Sequence, residues 1–145
     1  MNDRVVTIAR TWLGTPYGHQ ASVQGVSCDC LGLLRGIWRE VYGQEPEAIP
    51  AYTRDWSEPQ GVERLLCAAK RHFHDVSDTP LAAGQVVLFR MRQGAVAKHL
   101  GLVSQTGALP QFIHAYQGHG VVESPLSAPW RKRIAARFEF IERDT

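Results

Sequence analysis

Three side chains of this sequence have the types and settings of a thiol-based active site. Cys30 follows the run Gly25-Val26-Ser27-Cys28-Asp29 and opens an apolar stretch with helical spacing. A thiol in the first turn of a helix faces unpaired N–H groups and the positive end of the helix dipole, and both favour the thiolate. A nucleophilic thiol also needs an imidazole within hydrogen-bond reach and a third polar group to orient that imidazole. His99 opens one β-rich run and His114 lies inside another, so strands packed on the Cys30 helix can bring both to the sulfur.

Other readings of the same residues stay open at this level. Cys30 shares a stripe with Leu33, Leu34 and Ile37, and cysteine is among the most buried residue types, so it can be a core residue. The two histidines can be partly buried rings satisfied by backbone groups. Cys28, Cys30, Cys67, His72 and His74 together offer five metal ligands. Zinc pairs are usually separated by about two to five residues, however, whereas here one residue intervenes in each pair. On a helix His72 and His74 would point roughly 200° apart. They read instead as a solvated helix end beside Lys70 and Arg71, Cys67 as core, and Trp130-Arg131-Lys132-Arg133 as a solvated basic surface.

The elements that must position these groups divide the chain in two. Val5, Ile8, Ala9, Trp12 and Leu13 form one helix face, capped by Asn2 or Asp3 and stopped by Gly14 and Pro16. Cys30, Leu33, Leu34, Ile37, Trp38 and Val41 form a second, with Asp29 or Ser27 as N-cap and Gly43 as the stop. Gly32 and Gly36 let another chain segment approach that helix closely. Gln44 to Pro59 reads as a long proline-containing loop, and Val62, Leu65, Leu66, Ala69 and Phe73 predict a third helix. Short β-rich runs follow at Gln85–Arg90, His99–Val103, Gln111–Tyr116, Gly120–Glu123 and Arg137–Ile141. Arg92-Gln93-Gly94 and Gln105-Thr106-Gly107 supply hairpin turns. Helices first and an antiparallel meander after predict an α+β fold.

Composition narrows the partners. The 145 residues suffice for one domain, and a hydrophobic fraction of 44% supplies a core. A formal charge of +2 is no footprint for nucleic acid. No apolar run approaches the roughly 20 residues of a membrane span. Met1-Asn2-Asp3-Arg4 is not followed by an apolar signal-peptide core, so the expectation is synthesis in the cytoplasm without a secretory signal. Three cysteines, an odd number, argue against a disulfide scaffold.

Four blocks, in order, carry a resemblance: Ala9-Arg10-Thr11-Trp12-Leu13-Gly14-Thr15-Pro16-Tyr17, Val26-Ser27-Cys28-Asp29-Cys30-Leu31-Gly32-Leu33-Leu34, Lys98-His99-Leu100-Gly101-Leu102-Val103 and Phe112-Ile113-His114-Ala115. The chain so read resembles the NlpC/P60 family, bacterial and phage cysteine peptidases that cut peptidoglycan stem peptides. The resemblance implies a papain-like α+β fold, with N-terminal helices packed on a C-terminal antiparallel sheet, in one catalytic domain over residues 1–145. It makes Cys30 the nucleophile rather than Cys28, His99 the general base and His114 the residue that orients the base. It places the Tyr17 hydroxyl beside nucleophile and substrate. In some members Asp29, with the serine that Leu31 replaces here, binds the free amine of the stem peptide.

The resemblance also implies no metal or organic cofactor, and cleavage of the bond between D-Glu and the diamino acid. The chain looks like the cell-wall peptidases of phage tails and gene transfer agents, whose partners would be tail-tip or baseplate proteins and whose work would be local wall opening during DNA delivery. Two other readings remain: a catalytically silent tail-assembly protein, and a papain-like amidase or acyltransferase on another substrate.

Overall fold

A computed structural model describes residues 1–47 and 63–142. The elements run α1 (Asn2–Arg10), β1 (Ser22–Val23), β2 (Ser27–Cys28), α2 (Cys30–Tyr42), α3 (Arg64–His72), β3 (His74–Asp75), β4 (Val86–Arg90), β5 (Ala97–Gln105), β6 (Gln111–Tyr116), β7 (Gly120–Pro125), α4 (Ala128–Arg131) and β8 (Ile134–Glu139). Strands β3 to β8 make one antiparallel sheet in the order β3-β8-β4-β5-β6-β7. The fold is α+β, with α1 to α3 before the meander and the short α4 between β7 and β8.

Alternation along the strands gives the sheet two apolar faces. Val86, Leu88, Leu100, Leu102, Ile113, Ala115 and Phe138 pack under α1, α2 and α3 with Val5, Ile8, Leu33, Ile37, Trp38, Leu65 and Ala69. Val87, Phe89, Val103, Phe112 and Leu126 form a smaller core on the opposite face, closed by Leu81, Met91, Trp130 and Ile134. Each of the valine, leucine, isoleucine and phenylalanine side chains among them contributes about 1.5–3 kcal/mol on full burial.

The second helix forms as its sequence predicts. Asp29 is its N-cap, and Gly43 ends it in the left-handed region at φ 88°. A Cβ on Gly32 would meet the Ala21 carbonyl at 1.8 Å, and one on Gly36 would meet the Trp12 ring at 2.1 Å, so both positions are close approaches.

Several boundaries differ from expectation, each for a local reason. Helix α1 starts with Met1 as its cap, because Asn2 and Asp3 already lie inside the first turn; Asn2 instead donates to Glu139 of β8 at 3.1 Å. It ends at Arg10, and the turn beyond buries Trp12 but leaves Leu13 exposed. Phe73 is extended, so His74 does not share a helix with His72 but pairs with Glu139 in the β3–β8 ladder. Cys67 is exposed rather than core, since it lies two residues, roughly 200°, from the buried Leu65. Strand β8 begins at Ile134, three residues before the expected start, because Ile134 and Ala136 pair with β4. The loop expected from Gln44 to Pro59 lies largely outside the described residues, as does Val62.

Candidate active site

The start of α2 is held by a buried carboxylate. Asp29 Oδ1 accepts from the Gly32 N–H at 2.7 Å, closing the helix end; such a cap is worth about 1 kcal/mol. Its Oδ2 accepts from the Gln20 N–H, also at 2.7 Å. Gln20 has φ 63°, the one positive φ outside glycine among the described residues. The Asp29 carboxylate thus ties a strained turn to the first turn of the helix. Tyr17 sits nearby: its backbone bridges Cys28, and its half-buried ring packs on the same core as Cys30. Cys28 is fully buried, and burial, then the charge of Asp29, pushes its thiol up to about 12.

Cys30 is partly buried and unbridged. Its Sγ donates to the Lys98 carbonyl of β5 at 3.7 Å, so the thiol rests on the backbone beside His99. No hydrogen bond joins Sγ to the His99 ring. The N–H groups of Leu100 on β5 and of Leu31 and Cys30 at the helix start favour the thiolate, but burial outweighs them and, with the charge of Asp29, holds the thiol at about 12. The expected depression of the thiol's pKa is therefore not what the site produces at rest.

The histidines occupy the opposite side of the sheet from Leu100 and Ile113. His99 Nε2 and His114 Nδ1 are 2.8 Å apart, and His114 Nε2 is 2.9 Å from Ser124 Oγ on β7. Gly101 makes room for this: a Cβ there would meet Phe112 at 2.8 Å and His114 Cβ at 3.1 Å. Burial, then the neighbouring His114, lowers the His99 pKa to about 3; burial, then His119, lowers that of His114 to about 4. Both rings are neutral at neutral pH, as is the thiol. A neutral imidazole and a neutral thiol form no standing ion pair.

Two members of this arrangement were not apparent from the sequence. Trp130, expected on a solvated basic surface, covers the histidines, with ring centroids 5.3 Å from His114 and 5.7 Å from His99, and also touches Phe89 and Phe112. Only its neighbours Arg131, Lys132 and Arg133 are exposed, the last stacked over the indole at 5.9 Å. An aromatic residue heading a basic run was the available signal. Ser124 carried none, because its role arises from its position on β7.

The candidate metal ligands do not assemble. Among the described residues no three His, Cys, Asp or Glu side chains gather as a metal would require. His72 pairs with Glu47 at 2.9 Å, at the other end of α2 from Cys30. Nor, among the described residues, is any helix long and apolar enough to cross a membrane.

The N-capped thiol thus rests on the backbone of β5, which carries His99, and the adjacent β6 carries His114. The NlpC/P60 family profile matches residues 14–138, and the chain belongs to that family. Among curated proteins it is 28% identical over 134 residues to the murein DD-endopeptidase MepS/murein LD-carboxypeptidase of Escherichia coli K12, covering 92% of this chain and 60% of that protein. The chain thus spans about three-fifths of the length of the curated relatives it matches. Among solved structures, the NlpC/p60 domain of the peptidoglycan hydrolase SagA aligns with a TM-score of 0.65 at 20% identity, over 97% of this chain and 99% of that one. An NlpC/P60 family protein of Bacillus cereus aligns with a TM-score of 0.67 at 21% identity, over 98% and 41%. These likenesses bear out the fold expected from the sequence.

Proposed function

We propose that this protein is a cysteine peptidase that hydrolyses amide bonds in peptidoglycan stem peptides. The observation that carries the reading is the His99–His114 pair, bonded at 2.8 Å, whose His99 lies on β5, the strand whose backbone receives the Cys30 thiol, and whose His114 lies on the adjacent β6. As the substrate carbonyl enters, His99 takes the thiol proton through Nδ1 and the sulfur attacks. The N–H groups of Cys30 and Leu31, which Asp29 does not occupy as it does those of Gly32 and Leu33, face the developing oxyanion. His99 then protonates the departing amine, leaving a thioester. Water, deprotonated by His99, hydrolyses it and returns the thiol. Because both partners are neutral beforehand, charge develops only during attack, where stabilisation lowers the barrier.

Tyr17 and Asp29 are proposed to line the substrate side. Both oxygens of Asp29 already hold backbone N–H groups, so an incoming amine would share them. Cleavage between D-Glu and the diamino acid, and service in a phage-like tail that opens the wall locally, are finer proposals that rest on the sequence resemblance. MepS carries DD-endopeptidase and LD-carboxypeptidase in its name, which are different bonds.

Mass spectrometry of muropeptides digested by the pure protein tests all of this. New products, absent with Cys30→Ala, are expected, and their masses identify the bond. Products that persist with Cys30→Ala would refute the thiol mechanism, and no products at all would favour a silent assembly protein. Proteomics of purified particles tests the tail assignment, which fails if the protein is absent from them.

A further inference from the structure

The hydrogen bonds of the imidazole pair do not end at His114. Ser124 lies opposite Phe112 in the β6–β7 ladder, on the last strand of the sheet, and its Oγ is 2.9 Å from His114 Nε2. His114 is 1% exposed, whereas Ser124 is only partly buried.

A neutral imidazole has one N–H and one lone pair, so the direction of one hydrogen bond in such a chain sets the direction of the next. If His114 donates from Nε2 to Ser124, its Nδ1 is a lone pair. His99 then donates from its own Nε2, and His99 Nδ1 is left bare to accept a proton. If Ser124 donates instead, His114 carries its hydrogen on Nδ1 and His99 accepts at Nε2. His99 Nδ1 then already bears a hydrogen and cannot act as the base. A hydroxyl can play either part, but protonation of His99 decides between them. The imidazolium has N–H on both nitrogens, so its Nε2 requires a lone pair on His114 Nδ1. That leaves His114 with its hydrogen on Nε2 and Ser124 as the acceptor. The outward hydroxyl hydrogen of Ser124 can meanwhile be taken by water at the sheet edge.

We propose that Ser124 is a positioning residue. By accepting from His114 Nε2 it fixes the tautomers of both rings and leaves His99 Nδ1 as the base. The bond is oriented for the charged state of the reaction, so its loss falls on kcat rather than on KM. This role rests on the peptidase reading above, but the tautomers can be read without any turnover.

Nitrogen-15 NMR of the histidine-labelled protein reads the resting rings directly. His99 and His114 are both expected to carry hydrogen on Nε2; hydrogen on Nδ1 of His114 in the wild type would overturn the proposal. Ser124→Ala should populate both tautomers and lower kcat about five- to tenfold with KM nearly unchanged, the scale of one lost hydrogen bond. Ser124→Thr, which keeps the hydroxyl, should restore both. A Ser124→Ala protein with wild-type kcat, or with its loss confined to KM, would equally overturn it. A wild type with the expected tautomers and no action on muropeptides would instead refute the substrate reading and leave the assignment of Ser124 intact.

Discussion

The turn that presents Cys30 and the strand face that presents His99 are held in place over different distances along the chain. Asp29, the neighbour of Cys30, reaches Gly32 three residues ahead and Gln20 nine residues behind, and these two bonds fix the helix start. His99 depends on His114, 15 residues away, and His114 on Ser124, a further 10. Trp130, which covers both rings, comes from a helix beyond the last of those strands. The scaffold of Cys30 is local and forms with its helix; that of His99 exists only once three strands are in register.

Substitutions can break either side of this comparison. The largest effect is expected at the sulfur. Cys30→Ala should abolish hydrolysis and leave the thermal midpoint nearly unchanged, whereas Cys28→Ser should keep most activity. Equal loss in the two, measured on one peptide substrate, would remove Cys30 from its role.

The histidines come next. Proton transfer by a positioned side chain is worth about 10²–10⁴-fold. His99→Gln should fall to near background. His114→Gln should retain measurable turnover, because Gln can still accept the hydrogen bond that orients His99. A dead His114→Gln beside an active His99→Gln would show that the roles are exchanged.

Asp29→Ala tests the local scaffold through stability. It removes a cap worth about 1 kcal/mol and leaves the Gln20 N–H without its acceptor, at about 1–3 kcal/mol. Denaturant unfolding should show a loss of about 2–4 kcal/mol, and an unchanged midpoint would contradict the pinned turn.

A final test probes the non-local side through pH. An unfolded histidine titrates near 6.5, as an approximate reference value. Folded His99 and His114 resist protonation down to about 3 and about 4. The unfolded chain therefore binds more protons below about pH 6.5, and stability declines as the pH falls from there toward those values. On the alkaline side Cys28 and Cys30 keep their protons to about 12, while unfolded thiols lose theirs near about 8.5, so stability also declines as the pH rises above that point. Thermal midpoints should form a plateau between the two limits. Trp130→Ala admits water to the imidazoles and should flatten the acid slope; an acid limb identical to the wild type's would show that the indole does not set their environment.

The local side was the more legible in the sequence. Asp29, Cys30, Leu33, Ile37 and Gly43 declare a capped amphipathic helix within 15 residues, and the structure places each as read. Positions of His99 and His114 on strands were also readable, because short β-rich runs separated by Gly or Pro mark strands wherever they pair. Which strands would be neighbours was not, and so Ser124 and the cover of Trp130 stayed hidden. Cys67 shows a different limit: an apolar neighbourhood in sequence, Leu66 and Ala68, says nothing about which way a helical side chain points. His74 shows another, since a helix end shifted by one residue moved it into a strand.

The resting state of the sulfur bears on how the protein withstands oxidants. Peroxides attack thiolates, and a thiol held to about 12 offers almost none at neutral pH. In the proposed mechanism Cys30 becomes reactive only while a substrate carbonyl occupies the space in front of it, so an oxidant arriving between turnovers would find a protonated sulfur resting on the Lys98 carbonyl. The exposed Cys67 on α3 meets the solvent first. The same burial that keeps the Cys30 thiol protonated shields it from sulfenic acid formation.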